Sequence, residues 1–269
     1  MKHIDKNRFG SWAIVTGASS GIGKEFARQL AASGLNLVLI ARRLPLLETL
    51  GQQLAQQFSV QYRAVGADLS EENSLEKIAT VSSDLDLGLL ISNAGAGIPN
   101  EFLSADLREL RRIVQLNIIA HLNLLHHFGP KLARRGRGGV LLVSALGAAQ
   151  GIPYMANDSA TKAYVLSLGE ALHIEFQKFS VNVTVLLPGG VDTPVIPQLG
   201  LNAKTMLIKP ISVEQCVDEG LAALNSNRAT WIPGRKFRVM AALTPRPILS
   251  RMNGRMLAKA VAAKQADLE

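Results

Sequence analysis

A lysine and an aspartate, one helical turn apart, are the residues in this sequence best suited to proton transfer. Lys162 and Asp158 lie in the stretch GIPYMANDSATKAYV, residues 151–165. A spacing of four residues places both side chains on the same face of a helix. At an exposed site the pair would be a simple ion pair, worth only about 0.3–0.5 kcal/mol. In a water-poor site, each charge would instead shift the pKa of the other group.

A second stretch has its glycines arranged as in a loop that binds phosphate groups. The apolar run WAIV (12–15) leads directly into TGASSGIGKE (16–25), where a strand is expected to become a helix. Without side chains, the glycines let backbone N–H groups approach a diphosphate at the positive end of that helix. A purely structural turn is the alternative, but this position favours dinucleotide binding. The loop residues are Gly17, Ser19, Ser20, Gly21, Ile22 and Gly23.

The end of the second apolar run indicates which dinucleotide binds. That run ends IARR, so Arg42 and Arg43 stand where an acidic residue would hold the ribose hydroxyls of NAD. Lys24 adds a further cation. Positive charge suits a 2′-phosphate, which arginine can bind through two parallel hydrogen bonds. We therefore expect NADP rather than NAD. If these cations were ordinary surface charges, the missing acid would still need an explanation.

Apolar runs alternate along the chain with longer stretches of helical spacing. The runs are 12–15, 35–40, 87–92, 139–145 and 181–187, and their continuous apolarity is typical of strands buried on both faces. Helical spacing occurs at 22–33, 44–58, 71–81, 106–128 and 158–178. This alternation predicts an α/β fold with a doubly wound parallel sheet, in a single domain that covers residues 1–269. Ligands of such sheets bind beyond the carboxyl ends of the strands.

Composition narrows the class of protein. Of the 269 residues, 48% are hydrophobic and 19% are charged, which is typical of a globular fold with a large core. No apolar stretch is long enough to cross a bilayer, and the N-terminus lacks the apolar core of a signal peptide. The single Cys216 rules out an internal disulfide. A cytoplasmic location is therefore expected.

Positive charge is concentrated in the C-terminal tail, residues 235–269. The net charge is +8, and the segment 235–259 contains seven basic residues and no acidic ones. The tail is either a basic amphipathic segment that contacts a membrane surface or an anionic substrate, or the solvated face of a helix packed on the domain. No nucleic-acid recognition motif accompanies the charge, so a nucleic-acid partner is not expected.

Six motifs in order resemble the short-chain dehydrogenase/reductase family over approximately residues 10–215. They are TGASSGIG, ADL at 67–69, NAG at 93–95, Asn117, SATK ending at Lys162, and PGGVDT at 188–193. The resemblance implies a Rossmann-type fold, a nicotinamide cofactor and assembly into homodimers or homotetramers through the long helices. From about residue 220 the chain is similar, less specifically, to a branch that acts on apolar or acyl-like carbonyl compounds.

The resemblance also implies a role for individual residues. Asp68 and Leu69 would flank the adenine, and Lys162 would hold the nicotinamide ribose. In the family, an asparagine such as Asn117 steadies a water in a proton relay, although a buried asparagine can also serve only to bend a helix. The remaining cofactor contacts would be Asn93, Ala94 and Gly95 beside the adenosine ribose, and Pro188, Gly189, Val191 and Thr193 over the nicotinamide.

Two positions depart from the family pattern. The family places a catalytic tyrosine four residues before the lysine and a serine thirteen residues before that tyrosine, but here these positions hold Asp158 and Ala145. The paired change favours a natural departure over a deliberate single substitution. Ser144 could replace the serine only if the alignment shifted by one residue, because neighbouring strand residues point to opposite faces. Tyr154 could swing inward or serve only in packing.

Three functions remain open from the sequence. The first is an NADP(H)-dependent oxidoreductase with an impaired proton relay, acting on an apolar or acyl-like alcohol or carbonyl compound, with the loops 96–105 and 194–215 lining the substrate. The second is an NADP-binding sensor or scaffold without turnover. The third is a non-redox enzyme that uses Asp158 as a base. The catalytic candidates are Asp158, Lys162, Asn117 and Ser144. No spacing of ligands completes a metal site around His121, His126 and His127.

Overall fold

Seven parallel strands form one sheet in the order β3-β2-β1-β4-β5-β6-β7. The structure is a computed structural model that describes residues 4–203, 206 and 208–266. The strands are β1 (Trp12–Thr16), β2 (Asn36–Ala41), β3 (Tyr62–Gly66), β4 (Leu87–Ser92), β5 (Gly138–Val143), β6 (Val181–Leu186) and β7 (Thr230–Trp231). The strand order reverses between β1 and β4, which is where doubly wound sheets bind their ligands.

Helices cover both faces of the sheet. They are α1 (Lys6–Phe9), α2 (Gly21–Ala32), α3 (Leu44–Phe58), α4 (Ser74–Val81), α5 (Leu107–Val114), α6 (Ala120–Arg135), α7 (Ala156–Gln177), α8 (Val195–Gln198), α9 (Val213–Asn225), α10 (Arg235–Leu243) and α11 (Arg246–Ala266). A π-helical turn, Gln115–Ile119, joins α5 to α6. Short 3-10 turns occupy Phe102–Ser104 and Leu146–Ala149.

Two apolar layers hold the helices on the sheet. On one face, Phe26 of α2, Leu47 of α3 and Leu221 of α9 are fully buried against the strands. On the other face, Phe128 of α6 and Val165 of α7 are buried in the same way. Strands β1, β4, β5 and β6 are buried along their whole length, because they are covered on both sides.

The α/β fold with a single doubly wound domain is confirmed for the described residues. The five apolar runs correspond to β1, β2, β4, β5 and β6, with ends displaced by at most two residues. Two strands were missed. β3 is an edge strand that is only partly buried and contains Arg63, so it lacks a continuous apolar run. β7 has two residues and lies at the opposite edge.

Helices α10 and α11, which we call the C-terminal hairpin, pack beside the loops at the carboxyl end of the sheet. Ser250 Oγ donates to the Gly151 carbonyl oxygen at 2.8 Å. Gly254 lies against Pro153, since a Cβ added there would come within 2.9 Å of its ring. Of the two interpretations of the basic tail, packing on the domain is therefore present for the described part, while residues 267–269 lie outside it.

No helix within the described part of the chain combines the length and apolarity that crossing a membrane requires.

Candidate functional site

The loops after β1, β2, β4, β5 and β6 surround one large cavity of about 910 Å³. Every cofactor residue that the sequence predicted lies in its wall, from Gly17 in the first loop to Thr193 after β6. Asp158, Lys162, Ser144 and Ala145 line the same cavity. The strand ends converge there because all described strands of the sheet run in parallel.

The glycine-rich loop packs tightly against the loop after β4. A Cβ on Gly23 would clash with the Gly17 carbonyl oxygen and come within 2.6 Å of Asn93 Nδ2. Asn93 is itself fixed, because its backbone N–H donates to Thr16 Oγ1 at 2.8 Å and its amide donates to the Thr16 carbonyl oxygen at 2.9 Å. Thr16 was not singled out from the sequence, although it opens the TGASSGIG motif.

The start of α2 fits a bound diphosphate. Ser20 is the N-cap residue, and its side chain makes no capping hydrogen bond. The first N–H groups of a helix have no partner within the helix, and here Gly21, Ile22 and Gly23 line the cavity. These donors and the positive end of the helix dipole suit an anionic group.

Two arginines at the end of β2 form the next part of the cavity. Arg43 donates to Ser19 Oγ at 3.2 Å, and both Arg42 and Arg43 line the wall. Burial would raise the pKa of Asp68, but hydrogen bonds from Ser70 and the positive charges of Arg42 and Arg112 outweigh it and hold that pKa below its usual value. Asp68 is therefore an ionised acceptor beside the arginines.

Lys24 is exposed and does not line the main cavity. It lies beside a neighbouring cleft between α2 and α3, together with Glu25, Arg28 and Gln53. The expectation that Lys24 adds charge at the 2′-phosphate position finds no support in the lining of the main cavity, which contains Arg42 and Arg43.

Asn117 connects the π-helical turn to the Asp158–Lys162 pair. Its side-chain oxygen accepts from the Ala96 N–H at 3.0 Å. Its amide nitrogen lies within donating distance of the Ala96 carbonyl oxygen at 2.8 Å, Thr161 Oγ1 at 3.0 Å and Asp158 Oδ1 at 3.2 Å. The fully buried Asn117 thus fixes the loop after β4 and the start of α7 together.

Lys162 is buried under the loop after β4. A Cβ on Gly95 would lie 2.8 Å from Lys162 Nζ and 3.1 Å from Asn117 Oδ1, so both side chains pack closely against this glycine. Burial lowers the pKa of Lys162, and the Asp158 carboxylate opposes that change only in part. The ammonium donates to the Val143 carbonyl oxygen at 3.4 Å.

The pKa of Asp158 is raised, whereas that of Lys162 is lowered. Burial raises the pKa of its carboxyl group, while the charge of Lys162 and the hydrogen bond from Asn117 act in the other direction without cancelling the rise. The carboxyl group therefore accepts a proton more readily than it would in water. It is the titratable acid of the cavity nearest to the buried lysine.

Among the described residues, neither of the two possible hydroxyl replacements forms a hydrogen bond with the side chain of Asp158 or Lys162. Ser144 is buried, and its hydroxyl donates to the Lys162 backbone carbonyl oxygen at 2.7 Å. Tyr154 has a left-handed backbone with φ of 65°. Its neighbours Ile152 and Met155 line the cavity, but Tyr154 is not part of that wall within the described residues.

The far side of the cavity is apolar and comes largely from the C-terminal hairpin, none of whose residues was predicted to line a site. The wall there contains Phe237, Met240, Leu249, Asn253, Met256 and Leu257 of the C-terminal hairpin. Apolar residues recur at helical spacing in 249–261 and indicate that one face of this helix is buried. The basic residues between them conceal this pattern when the segment is judged by its net charge. Of the loop 96–105, only Ala96, Gly97 and Ile98 line the cavity; from 194–215, the lining residues are Pro194, Val195, Ile196, Gln198, Leu199, Leu201 and Met206.

Another buried titratable group lies just behind the site. His121 on α6 is buried, and its Nδ1 pairs with Ser92 Oγ at 2.8 Å, while its Nε2 has no partner within the described part of the protein. Burial, with the nearby charge of Lys162, lowers its pKa to about 3. Among the described residues, no three or more His, Cys, Asp and Glu side chains come together as a metal site.

The known proteins that this chain resembles are dehydrogenases and reductases. A family model described as short chain dehydrogenase matches residues 11–203. The chain is 36% identical, over 189 residues, to a very-long-chain 3-oxoacyl-CoA reductase of Meyerozyma guilliermondii, and the match covers 66% of this chain and 55% of that protein. A solved 7β-hydroxysteroid dehydrogenase superposes with a TM-score of 0.84 at 25% identity, covering 93% of this chain and 98% of the other. A short-chain dehydrogenase from Sphingobium yanoikuyae, in complex with NADPH, gives a TM-score of 0.77 at 29% identity, covering 86% and 91%.

The fold, the cavity and these relatives define one class of protein. The chain belongs to the short-chain dehydrogenase/reductase family, whose oxidoreductases use a nicotinamide cofactor. It spans about half the length of the Meyerozyma guilliermondii reductase.

Proposed function

We propose that this protein is an NADP(H)-dependent short-chain oxidoreductase whose proton relay is impaired, because Asp158 and Ala145 occupy the positions of the family's catalytic tyrosine and serine. Its substrate would be an alcohol or carbonyl compound of apolar or acyl-like character. The observation that carries the proposal is the single cavity. It unites the glycine-rich loop, the two arginines after β2 and the pair Asp158 and Lys162. Asn117 does not line the cavity but is buried next to it and donates to Asp158.

Preference for NADP(H) rests on the charges at the end of β2. No carboxylate follows that strand, and Arg42 and Arg43 line the cavity beside Ser19. These groups supply the cations and hydroxyl that a 2′-phosphate requires. The shared fold does not decide between the two dinucleotides, because solved structures of this fold hold NADPH or NAD, so the preference rests on these arginines.

The cofactor, when bound, would supply or accept a hydride, and the proton must be handled by side chains of this chain. Lys162 would bind the nicotinamide ribose, and Asn117 would orient Asp158 through the hydrogen bond from its amide. At neutral pH an ionised Asp158 accepts hydrogen bonds and cannot donate one to a carbonyl oxygen. It would also repel the negative charge that develops there during reduction. Carbonyl reduction is therefore slow where a tyrosine would donate.

The character of the substrate follows from the far wall of the cavity. That wall is formed mainly by methionine, leucine and phenylalanine side chains of the C-terminal hairpin, such as Met240, Leu249 and Met256. Methionine adapts to irregular apolar shapes, and Asn253 is a polar group among them. An apolar or acyl-like compound is complementary to this surface, in agreement with the names of the relatives.

The raised pKa of Asp158 favours one alternative function. A carboxylate that is more basic than usual can remove a proton from an acidic C–H group, as a non-redox enzyme for elimination, isomerisation or cyclisation would require. An NADP-binding sensor or scaffold would use the same cofactor contacts without turnover. The three functions share the cofactor site and differ in whether hydride transfer takes place.

We also propose that the protein is cytoplasmic and self-associates as a homodimer or homotetramer. The outer sides of α6 and α7 expose Leu122, Tyr164 and Ile174, and Ile174 is 65% exposed. Exposed apolar side chains on two long helices are suited to pairing with a second copy.

Cofactor titration tests this proposal at its first step. NADPH should quench the intrinsic fluorescence at a lower concentration than NADH. Arg43→Ala should weaken NADPH binding about 10- to 100-fold, as expected for the loss of a charge-assisted contact, with little effect on NADH. Lys24→Ala is the matched control, because Lys24 is exposed and does not line the main cavity. Absence of NADPH binding by the unmodified protein would refute the proposal.

A carbonyl panel tests the second step. NADPH oxidation with apolar ketones and 3-oxoacyl thioesters should be detectable but slow. Fast reduction at neutral pH would contradict an impaired relay. Hydride transfer that is absent at every pH, despite NADPH binding, would favour the sensor or the non-redox enzyme.

A further inference from the structure

The outward-facing surface of the C-terminal hairpin combines cations with exposed apolar side chains. On α11, five of the exposed residues recur at helical spacing: Ile248, Arg251, Met252, Arg255 and Lys259. On α10, Lys236, Val239 and Leu243 form a similar exposed row, in which Leu243 is 77% exposed. We call these eight residues the outer hairpin face.

Within the described part of the chain, no acidic side chain forms an ion pair with this face. Residues 235–266 contain no Asp or Glu. One described ion pair involves the hairpin, and it joins Arg238 to Glu219 of α9. Arg238 is not part of the outer hairpin face. Arg251, Arg255 and Lys259 are exposed and form no ion pair with any described residue.

The opposite side of the same two helices belongs to the substrate cavity. Phe237 and Met240 of α10, and Leu249 and Met256 of α11, line its wall. One pair of helices therefore separates a cationic, partly apolar outer surface from an apolar cavity. The hairpin is in turn fixed to the loop before α7 through Ser250 and Gly151.

We propose that the outer hairpin face docks on an anionic lipid surface, so that an apolar substrate passes from the bilayer into the adjacent cavity. Basic residues near an anionic bilayer are attracted to its headgroups, and interleaved apolar side chains enter the acyl boundary. The docking itself depends only on the described surface. The delivery of substrate rests on the proposed function.

Other occupants fit this face less well. A second copy of the chain would place the same cations opposite one another in a twofold interface, which is repulsive. A soluble acidic partner would neutralise Arg251 and Arg255 but would also need grooves for Leu243 and Ile248. An anionic bilayer provides both the negative charge and the apolar boundary, so the composition of the outer hairpin face favours it.

Vesicle flotation with the full chain tests the docking. The protein should float with phosphatidylcholine vesicles that contain phosphatidylserine and should remain behind with vesicles of phosphatidylcholine alone. Arg251→Glu/Arg255→Glu should reduce the bound fraction on anionic vesicles by about tenfold or more, since each basic residue near the surface contributes to attraction. The matched control is Arg134→Glu/Arg137→Glu, which changes the net charge equally at exposed positions around the end of α6 and the start of β5. This control should bind as the unmodified protein does.

A second variant tests the apolar part of the surface. Leu243→Ser/Ile248→Ser keeps every charge and should also weaken flotation, because fewer apolar side chains enter the bilayer. All substituted side chains are exposed, so every variant should fold. Thermal melting of each variant checks this.

Several results would overturn the docking proposal. They are failure of the unmodified protein to float with anionic vesicles, an equal loss in both charge-reversal pairs, and binding to soluble polyglutamate without binding to vesicles. NADPH titration of the same samples separates the two proposals. Flotation without NADPH binding would refute the proposed function alone, and NADPH binding without flotation would refute docking alone.

Discussion

Asp158 has a carboxyl group in the wall of the cavity, and its surroundings make that group a weaker acid than an exposed aspartate. Burial raises the pKa of the carboxyl group, whereas Lys162 and the Asn117 amide counteract the rise. The result is a carboxyl group whose protonated fraction at mildly acidic pH exceeds that of an exposed aspartate. Only this protonated form has an O–H group that can donate to a carbonyl oxygen.

The rate of carbonyl reduction should consequently depend on pH in one direction. Because the folded pKa of Asp158 is raised, the donor form appears as the pH falls through that pKa and is lost as the pH rises above it. NADPH-dependent reduction by the unmodified protein should therefore increase on acidification. The kcat/KM measured across the pH range checks this, with Asp158→Asn as a control that lacks the titrating group and should show no such increase. A rate that falls on acidification would be inconsistent with Asp158 as the donor.

At the scale of elements, the strand-to-helix turn after β1 depends on glycine through close packing. Gly23 is the clearest case, because any side chain there would meet the Gly17 carbonyl oxygen and the Asn93 amide. The same amide is already bound to Thr16. Neither neighbour can move without disturbing both the first and the fourth strand ends.

Gly23→Ala should reduce stability by about 1–3 kcal/mol, as overpacking of a well-packed site does, and should weaken NADPH binding. Gly151→Ala is the matched control, since a Cβ at Gly151 meets nothing within 4 Å. Urea unfolding and NADPH titration of both variants measure the difference. Equal behaviour of the two alanine variants would show that the close approach at Gly23 is unimportant.

The central elements and the glycine-rich turn between β1 and α2 were predictable because each carries a local signal. Continuous apolar runs mark strands covered on both faces, as at 87–92. Features that depend on tertiary packing were not predictable from the sequence. Strand β3 has a mixed sequence at an edge, and the inner face of α11 becomes a cavity wall only when the hairpin folds over the loop at 151–153. Sequence spacing could not show that the Ser144 hydroxyl binds the Lys162 carbonyl oxygen.

At the scale of the whole molecule, the stability of the fold at acidic pH depends on His121, which is buried behind the site and stays neutral in the folded protein. His121 has a pKa lowered to about 3, mainly by burial. The unfolded chain would bind a proton near the ordinary value, about 6.5. Between these two values the unfolded state binds more protons than the folded state, so acid destabilises the fold.

The free energy of unfolding should therefore fall as pH decreases below about 6.5, by roughly 1.4 kcal/mol per pH unit from this group. His121→Gln should make the dependence shallower, because it removes the titrating group. His126→Gln is the control, since His126 is exposed on the same helix. Denaturant unfolding of the three proteins at neutral and mildly acidic pH checks this. A dependence on pH that is identical in His121→Gln and the unmodified protein would contradict it.

The proton relay is tested most directly by one comparison of turnover. The unmodified protein and the variant Asp158→Tyr/Ala145→Ser are assayed with NADPH and one apolar ketone at neutral pH, after both are shown to bind NADPH equally. The variant should be faster by about 10²-fold or more, the contribution expected of a positioned general acid. Equal rates would contradict the claim that Asp158 impairs carbonyl reduction in this protein.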